Sequence, residues 1–334
     1  MNWHGMLLIV LLSFSLLSQG VHAEEWCIYE NAQGVVRKVQ SLRQIPQNLR
    51  GSARCSISLS ANEEVLAKPQ EIKISGSERK ERMLTSLGPI NLRWSRDIEK
   101  ILGRSPFRAM ADASRMVSKT LKQESFPQEY RNISVEWEVI FLDEELPEDQ
   151  IPLHFISNCH PAWMTPPANI YVVAQRVVAG CLGSGRIPQE DIEREMTTVL
   201  AHEMGHVLES TILSAKGFQR ERWRAEGFAT FFERLAARYS RFVSTDFIEQ
   251  RHSALARKSF QAMPDNFIFR GRAEDYARAS MYLQAIVNDR SIKGLMAVYR
   301  RIDSGKQGLR EAIYKETGWS EKMLEEKARK AAGF

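Results

Sequence analysis

No sign of charge dominates this chain. Its 334 residues carry 46 Lys and Arg against 41 Asp and Glu, a net +5 with the two signs mixed throughout. So small an excess, never gathered into one stripe, leaves nucleic acid out of the expected partners. Cysteine is scarce, at 4, and none stands in a CxxC, which sets aside thiolate zinc sites. There is no internal repeat and no low-complexity tract. The longest apolar run, Met6 to Leu17, has about twelve residues, short of the roughly 20 that cross a hydrocarbon core. At 43% hydrophobic, 26% charged and 9% aromatic, the chain can still bury a core, so disorder, a collagen-like repeat and a small disulfide scaffold are excluded.

That short run lies in a segment without Lys, Arg, Asp or Glu, Met1 to Ala23, which closes on Val21, His22 and Ala23. Small or modest side chains there suit a signal peptidase, so residues 1–23 read as a secretory signal peptide. The expected product is soluble, without stable membrane insertion, and periplasmic or secreted. Export would let Cys27, Cys55, Cys159 and Cys181 pair. Four cysteines allow three pairings. The local one, Cys27 with Cys55 and Cys159 with Cys181, is favoured, each loop closure stabilising by about 3 kcal/mol.

Residues 24–58 read as a small β module, with WCIYE and VVRKV flanking an NAQG turn and a Cys27–Cys55 staple. Residues 59–84, polar with Pro69 and Gly76, read as a linker. The remainder, 85–334, reads as one α+β domain. Strands are expected at Ile90–Trp94, Ile133–Leu142 and Ala168–Val178, a helix from about Pro106 to Lys122, and helices through most of the rest.

The chemistry sits on two of those helices. One runs from about Gly185 to Gly217, with Pro188, Glu190 and Asp191 at its start. It contains His202, Glu203 and His206 inside a broad apolar arc set by Ile192, Met196, Val199, Leu200 and Val207. Ionisable groups on an inward face are costly without partners. Two histidines four apart stand one turn above each other, so both imidazoles can reach one metal ion. Glu203 points the same way and can take the proton of a water that the metal acidifies. Twenty residues on, RWRAEGFATFFE supplies Glu226 as a third ligand, and a His₂Glu set leaves one position open, as catalytic zinc sites do. The small Gly227 beside it would let this helix approach the metal. Two satisfied core histidines and a solvated carboxylate are the plainer alternative.

HEMGH followed at this spacing by EGFATFFE resembles the gluzincin clan of zinc metallopeptidases, and the second segment is closest to the WxxEGFA stretch of aminopeptidase N-like enzymes. The resemblance implies a zincin-like fold, with a mixed sheet whose edge strand lines the cleft and a helical C-terminal part. It implies Zn²⁺ on His202, His206 and Glu226, Glu203 as general base, and a peptide or protein substrate. Ala168–Val178 sits where the edge strand belongs, and such an edge can bind an extended peptide by strand addition. The GxMEN segment by which aminopeptidases anchor a free amine is absent from the sequence, so an endopeptidase is expected. EDYARASMYLQAI resembles the helix that carries the family's oxyanion-stabilising tyrosine, at Tyr276 here, with Tyr282 and His160 as rivals. The competing class is a catalytically silent zinc-binding envelope protein acting in binding or assembly. Glu203 weighs against it, because a structural site has no use for that carboxylate.

Overall fold

The computed structural model describes residues 23–30, 36–39, 54–59, 74, 77–142, 161–165, 167–179, 187–213, 221–264, 267–305 and 307–334. Cys159, His160 and Cys181 lie outside the described residues, as do residues 1–22. The chain divides into two units, one within residues 1–71 and one holding residues 72–334.

The first unit is a three-stranded antiparallel sheet, with β1 (Ala23–Glu30) between β2 (Val36–Val39) and β3 (Arg54–Leu59). The third strand is not among the sequence expectations for this module, yet Cys55, Ile57 and Leu59 alternate with Arg54, Ser56 and Ser58 at the period of a strand. Register sets Cys27 directly opposite Cys55.

In the second unit a five-stranded mixed sheet has the order β4-β5-β6-β8-β7. β4 (Glu78–Thr85) and β5 (Gly88–Ser95) form an antiparallel hairpin. β6 (Trp137–Leu142) joins parallel to β5, and β8 (Asn169–Val173) parallel to β6. β7 (Ala162–Thr165) closes the sheet antiparallel to β8. Ile90, Leu92 and Trp94 alternate into the main core, while Ile140, Leu142, Trp163 and Val173 form a second cluster.

Two expectations are corrected here. The linker does not run to residue 84, because ERKERMLT forms β4. Its charges fooled the composition reading, but an edge strand keeps them in water, and Arg93 Nε of β5 bonds Glu78 Oε1 at 2.7 Å. Nor is Ala168–Val178 the edge strand. β8 is interior, and among the described strands β7 is the edge beside it and β4 the opposite one. β8 also stops at Val173, opposite Leu142 where β6 ends, and Ala174–Ala179 turns into a helix that buries Val177 and Val178. Among the described residues no strand continues beside them, so their β-branched side chains have no ladder to join.

Helices cover the rest. α1 (Arg96–Leu102) is capped by Ser95, whose Oγ accepts from Ile98 N at 3.4 Å, and it ends at Gly103 with φ 70°. α2 (Phe107–Gln123) buries Met110, Ala113, Met116, Val117 and Leu121, a stripe at helical spacing. α3 (Gln128–Arg131) and α4 (Ala174–Ala179) are single turns. α5 (Ile192–Ile212) carries His202, Glu203 and His206, and α6 (Arg222–Ala236) carries Glu226. α7 (Thr245–Ala262), α8 (Ala273–Gly305, interrupted at Ser291), α9 (Leu309–Thr317) and α10 (Glu321–Ala331) complete the unit. Among the described residues no helix is long and apolar enough to cross a membrane.

Close helix approach is built into the sequence. A Cβ on Gly205, in the middle of HEMGH, would lie 3.0 Å from Ala229 Cα of α6. One on Gly227 would lie 3.0 Å from Ala279 Cβ of α8. Gly227 therefore makes room for α8, not for an ion as its position beside Glu226 suggests. Helix axes that touch through glycine and alanine leave little freedom to the larger side chains beside them.

Candidate metal centre

α5 and α6 bring three of the expected residues together. Glu226 Oε2 lies 3.4 Å from His202 Nε2 and 3.2 Å from His206 Nε2. The two imidazoles have ring centroids 4.9 Å apart at an interplanar angle of 83°. Side-chain donor atoms of His202, Glu203 and His206 also fall within 4.8 Å of one another. Glu226 touches both rings, so its oxygen sits at the focus, whereas Glu203 stands beside it. His206 and Glu226 are each 2% exposed, and His202 keeps a partly open edge.

One carboxylate oxygen and two imidazole nitrogens aimed at one point repel each other through their lone pairs unless something positive stands between them. When no metal is bound, that charge is a proton. Burial pulls the His202 pKa down, but the bonds it donates to Glu226 and Glu233 outweigh that and push it up to about 10. Burial pushes the Glu226 carboxyl up, yet the charge of His206 and the bond from His202 hold it well below the usual carboxylate range. The donor set fits zinc, which takes imidazole nitrogen and carboxylate oxygen together.

Behind the rings lies a partner that the sequence reading missed. Glu233 Oε2 is 3.1 Å from His202 Nδ1, and its Oε1 is 3.4 Å from His252 Nε2 of α7. Burial raises the Glu233 pKa, but the charge of His252 and the bond from His202 bring it down to about 2, so it is a carboxylate at any neutral pH. A carboxylate on Nδ1 orients the ring and would direct Nε2 to a metal ion. The signal was in the sequence, since Glu233 stands seven residues after Glu226, two turns along the same stripe. His252 arrives from another helix and left no such mark.

A second buried network fixes α5 against α6. Arg224 Nε donates to Glu209 Oε1 at 2.8 Å, and the Tyr299 hydroxyl from α8 donates to the same oxygen at 3.1 Å. Glu221 Oε2 accepts from the backbone N of Leu309 at 2.8 Å, tying α9 to the start of α6. Glu209 lies three residues after His206 and Arg224 two before Glu226. A charge buried in this way is costly to strand, so the pairing specifies one relative placement of the two helices.

Tyr276 of α8 stands next to the rings, its centroid 6.2 Å from that of His202. Arg222 Nη2 donates to its hydroxyl oxygen at 3.4 Å. Burial, then the nearby Glu226 charge, raises its pKa well above 10, so it remains a protonated donor. Tyr282 is placed elsewhere. Its hydroxyl donates to Glu325 Oε2 at 2.5 Å and accepts from Arg278 Nε at 3.1 Å, and its ring packs on Trp223, Phe260 and Phe267.

No family model matches the chain, and no curated protein matches it in sequence. Among solved structures it is similar to a point mutant of the M1 zinc metallopeptidase from Deinococcus radiodurans, at 14% identity and TM-score 0.43, over 77% of this chain and 52% of that one. A two-domain M1 zinc metallopeptidase mutant bound to L-tryptophan is similar at 14% identity and TM-score 0.42, over 77% and 51%. The M1 zinc metallopeptidase from Deinococcus radiodurans without the mutation is similar at 13% identity and TM-score 0.42, over 77% and 51%. The chain thus spans about half the length of these structures.

Proposed function

We propose that this chain is a zinc-dependent peptidase of the gluzincin type that acts on internal peptide bonds. The observation that carries the reading is the single Glu226 oxygen within 3.2 to 3.4 Å of both imidazole Nε2 atoms, with a second carboxylate, Glu203, beside them. His202, His206 and Glu226 hold the ion, and Glu233 orients His202 from behind. Bound there, zinc supplies a Lewis acid that acidifies water and polarises a carbonyl.

The chain's own residues do the proton work. Glu203, on α5 between the two histidines and 5% exposed, takes a proton from the attacking water and returns it to the leaving amine. Tyr276 donates its hydroxyl hydrogen to the oxygen that becomes negative as the carbonyl turns tetrahedral. The closed backs of α5 and α6 keep bulk water from the rings, which strengthens each of these interactions. Endopeptidase action is supported by the lack of an amine anchor in the sequence, and export by the leader at residues 1–23. The β1–β3 register supports a Cys27–Cys55 bridge in an oxidising compartment.

A digest of an unbiased peptide library by the full chain, with its Glu203→Gln variant as control, tests the assignment. Internal cleavage by the former alone is expected, and no cleavage by either would overturn it. Tyr276→Phe removes only the donor and is expected to lower kcat about ten- to a thousandfold with KM little changed. An unchanged kcat in steady-state assays would return Tyr276 to packing. Glu233→Ala is expected to weaken zinc binding about 10- to 100-fold, read by competition with a chelator. An unaltered dissociation constant would mean that His202 needs no support from behind.

A further inference from the structure

Sharing no residue with the metal centre, a cleft of about 370 Å³ opens between the α2–α3 turn and the second half of α8. Ser125, Phe126, Gln128, Arg131, Lys293 and Arg300 line it, three cations with no Asp or Glu among the lining residues. Lys293 and Arg300 are seven apart and share one face of α8. Elsewhere along that helix the basic residues are neutralised. Arg290 Nε lies 3.4 Å from Asp289, and Arg301 Nε meets Glu316 at 2.5 Å. The acids near the cleft, Glu129 and Asp303, act on the Tyr130 hydroxyl, as Arg300 does. Among the described residues no carboxylate forms an ion pair with Arg131, Lys293 or Arg300.

Two further features favour a ligand over a merely solvated face. Arg131 Nε donates to the backbone oxygen of Phe126 at 2.5 Å, so its guanidinium is held in place before any ligand arrives. Ser125, which lines the cleft just after the α2 cap, has φ 59°, a left-handed position where glycine is the easier residue. Like charges collected in a concave surface raise the local potential and draw an anion. A fork of guanidinium donors beside an ammonium suits tetrahedral oxyanions, and the volume is that of a small-molecule site.

We propose that this cleft binds a phosphate group, carried either by a soluble phosphorylated molecule or by a lipid headgroup. The inference uses nothing from the peptidase reading and stands if that reading fails. Pyrophosphate titrated calorimetrically into the full chain at about 50 mM salt, where screening is modest, is expected to bind at one saturable site. Lys293→Ala combined with Arg300→Ala should weaken it at least tenfold, whereas Arg301→Ala, a cation already paired, should change it less than twofold. Circular dichroism checks that each variant is folded, and Lys293→Ala alone serves if the double variant is not. Co-sedimentation with phosphatidylglycerol and phosphatidylcholine vesicles identifies the carrier. Binding to the anionic vesicles that the double variant loses and pyrophosphate displaces assigns a headgroup, and pyrophosphate binding without it assigns a soluble ligand. Failure of both probes to bind, or equal binding by the folded double variant, would overturn the proposal.

Discussion

Glu203→Gln is expected to lower kcat/KM for peptide hydrolysis by about a hundred- to ten-thousandfold, the usual contribution of a general base. The amide keeps the volume and one acceptor oxygen of the carboxylate but cannot take a proton. Because Glu226, not Glu203, touches both imidazoles at 3.2 and 3.4 Å, zinc content should remain that of the unmodified chain. Peptidase kinetics and metal analysis on the same preparation check both halves. Full activity would remove Glu203 from the mechanism, and loss of zinc would make it a ligand.

Replacing a ligand is expected to act in the opposite order. His202→Ala and Glu226→Ala should each lose zinc first and activity as a consequence, with affinity falling by more than the about 10- to 100-fold that an outer partner costs. The binding is also proton-linked. The His202 pKa, about 10 without metal against an ordinary 6.5, lies above its unfolded value. Its proton therefore stabilises the metal-free fold fully below pH 6.5, and that contribution is lost as pH rises through about 10. Zinc must displace the same proton. Affinity should accordingly rise with pH across neutrality, by about tenfold per unit for one proton released. Calorimetry in two buffers of different ionisation enthalpy measures that proton. A pH-independent affinity between 6 and 8 would mean that His202 is not charged in this way.

How much of this was readable in the sequence follows from how local each constraint is. His202, Glu203 and His206 must share one helical face, and that demand is written into five consecutive positions. Glu226 is legible because its helix carries a dense apolar stripe in which a carboxylate is out of place. Glu233 obeys the same stripe two turns later and could have been found by extending the argument. His252 could not, since it reaches Glu233 from α7, and no spacing within one helix announces a contact between two. The partner of Gly227 was hidden for the same reason. A missing side chain tells of close approach, but only the packing of α8 says by what.

Among the strands, alternation pointed to Ile133–Leu142, of which only Trp137–Leu142 is strand, and the apolar run at Ala168–Val178 did not show where β8 stops. Hydrogen-bonding partners end a strand, and those lie on β6, not in the local sequence. The charged β4 and the serine-rich β3 were passed over because composition speaks for the exposed side of a strand as loudly as for its buried one.

The central claim is that His202, His206 and Glu226 meet at one ion. Zinc K-edge absorption on the zinc-loaded full chain tests it most directly. The account predicts one zinc per chain with a low-Z shell of about four neighbours near 2.0 to 2.1 Å, the multiple scattering of two imidazoles, and no sulfur. In Glu226→Ala that shell should lose its carboxylate oxygen or the zinc altogether. A sulfur shell at about 2.3 Å, a single imidazole, or an unaltered spectrum in Glu226→Ala would contradict it.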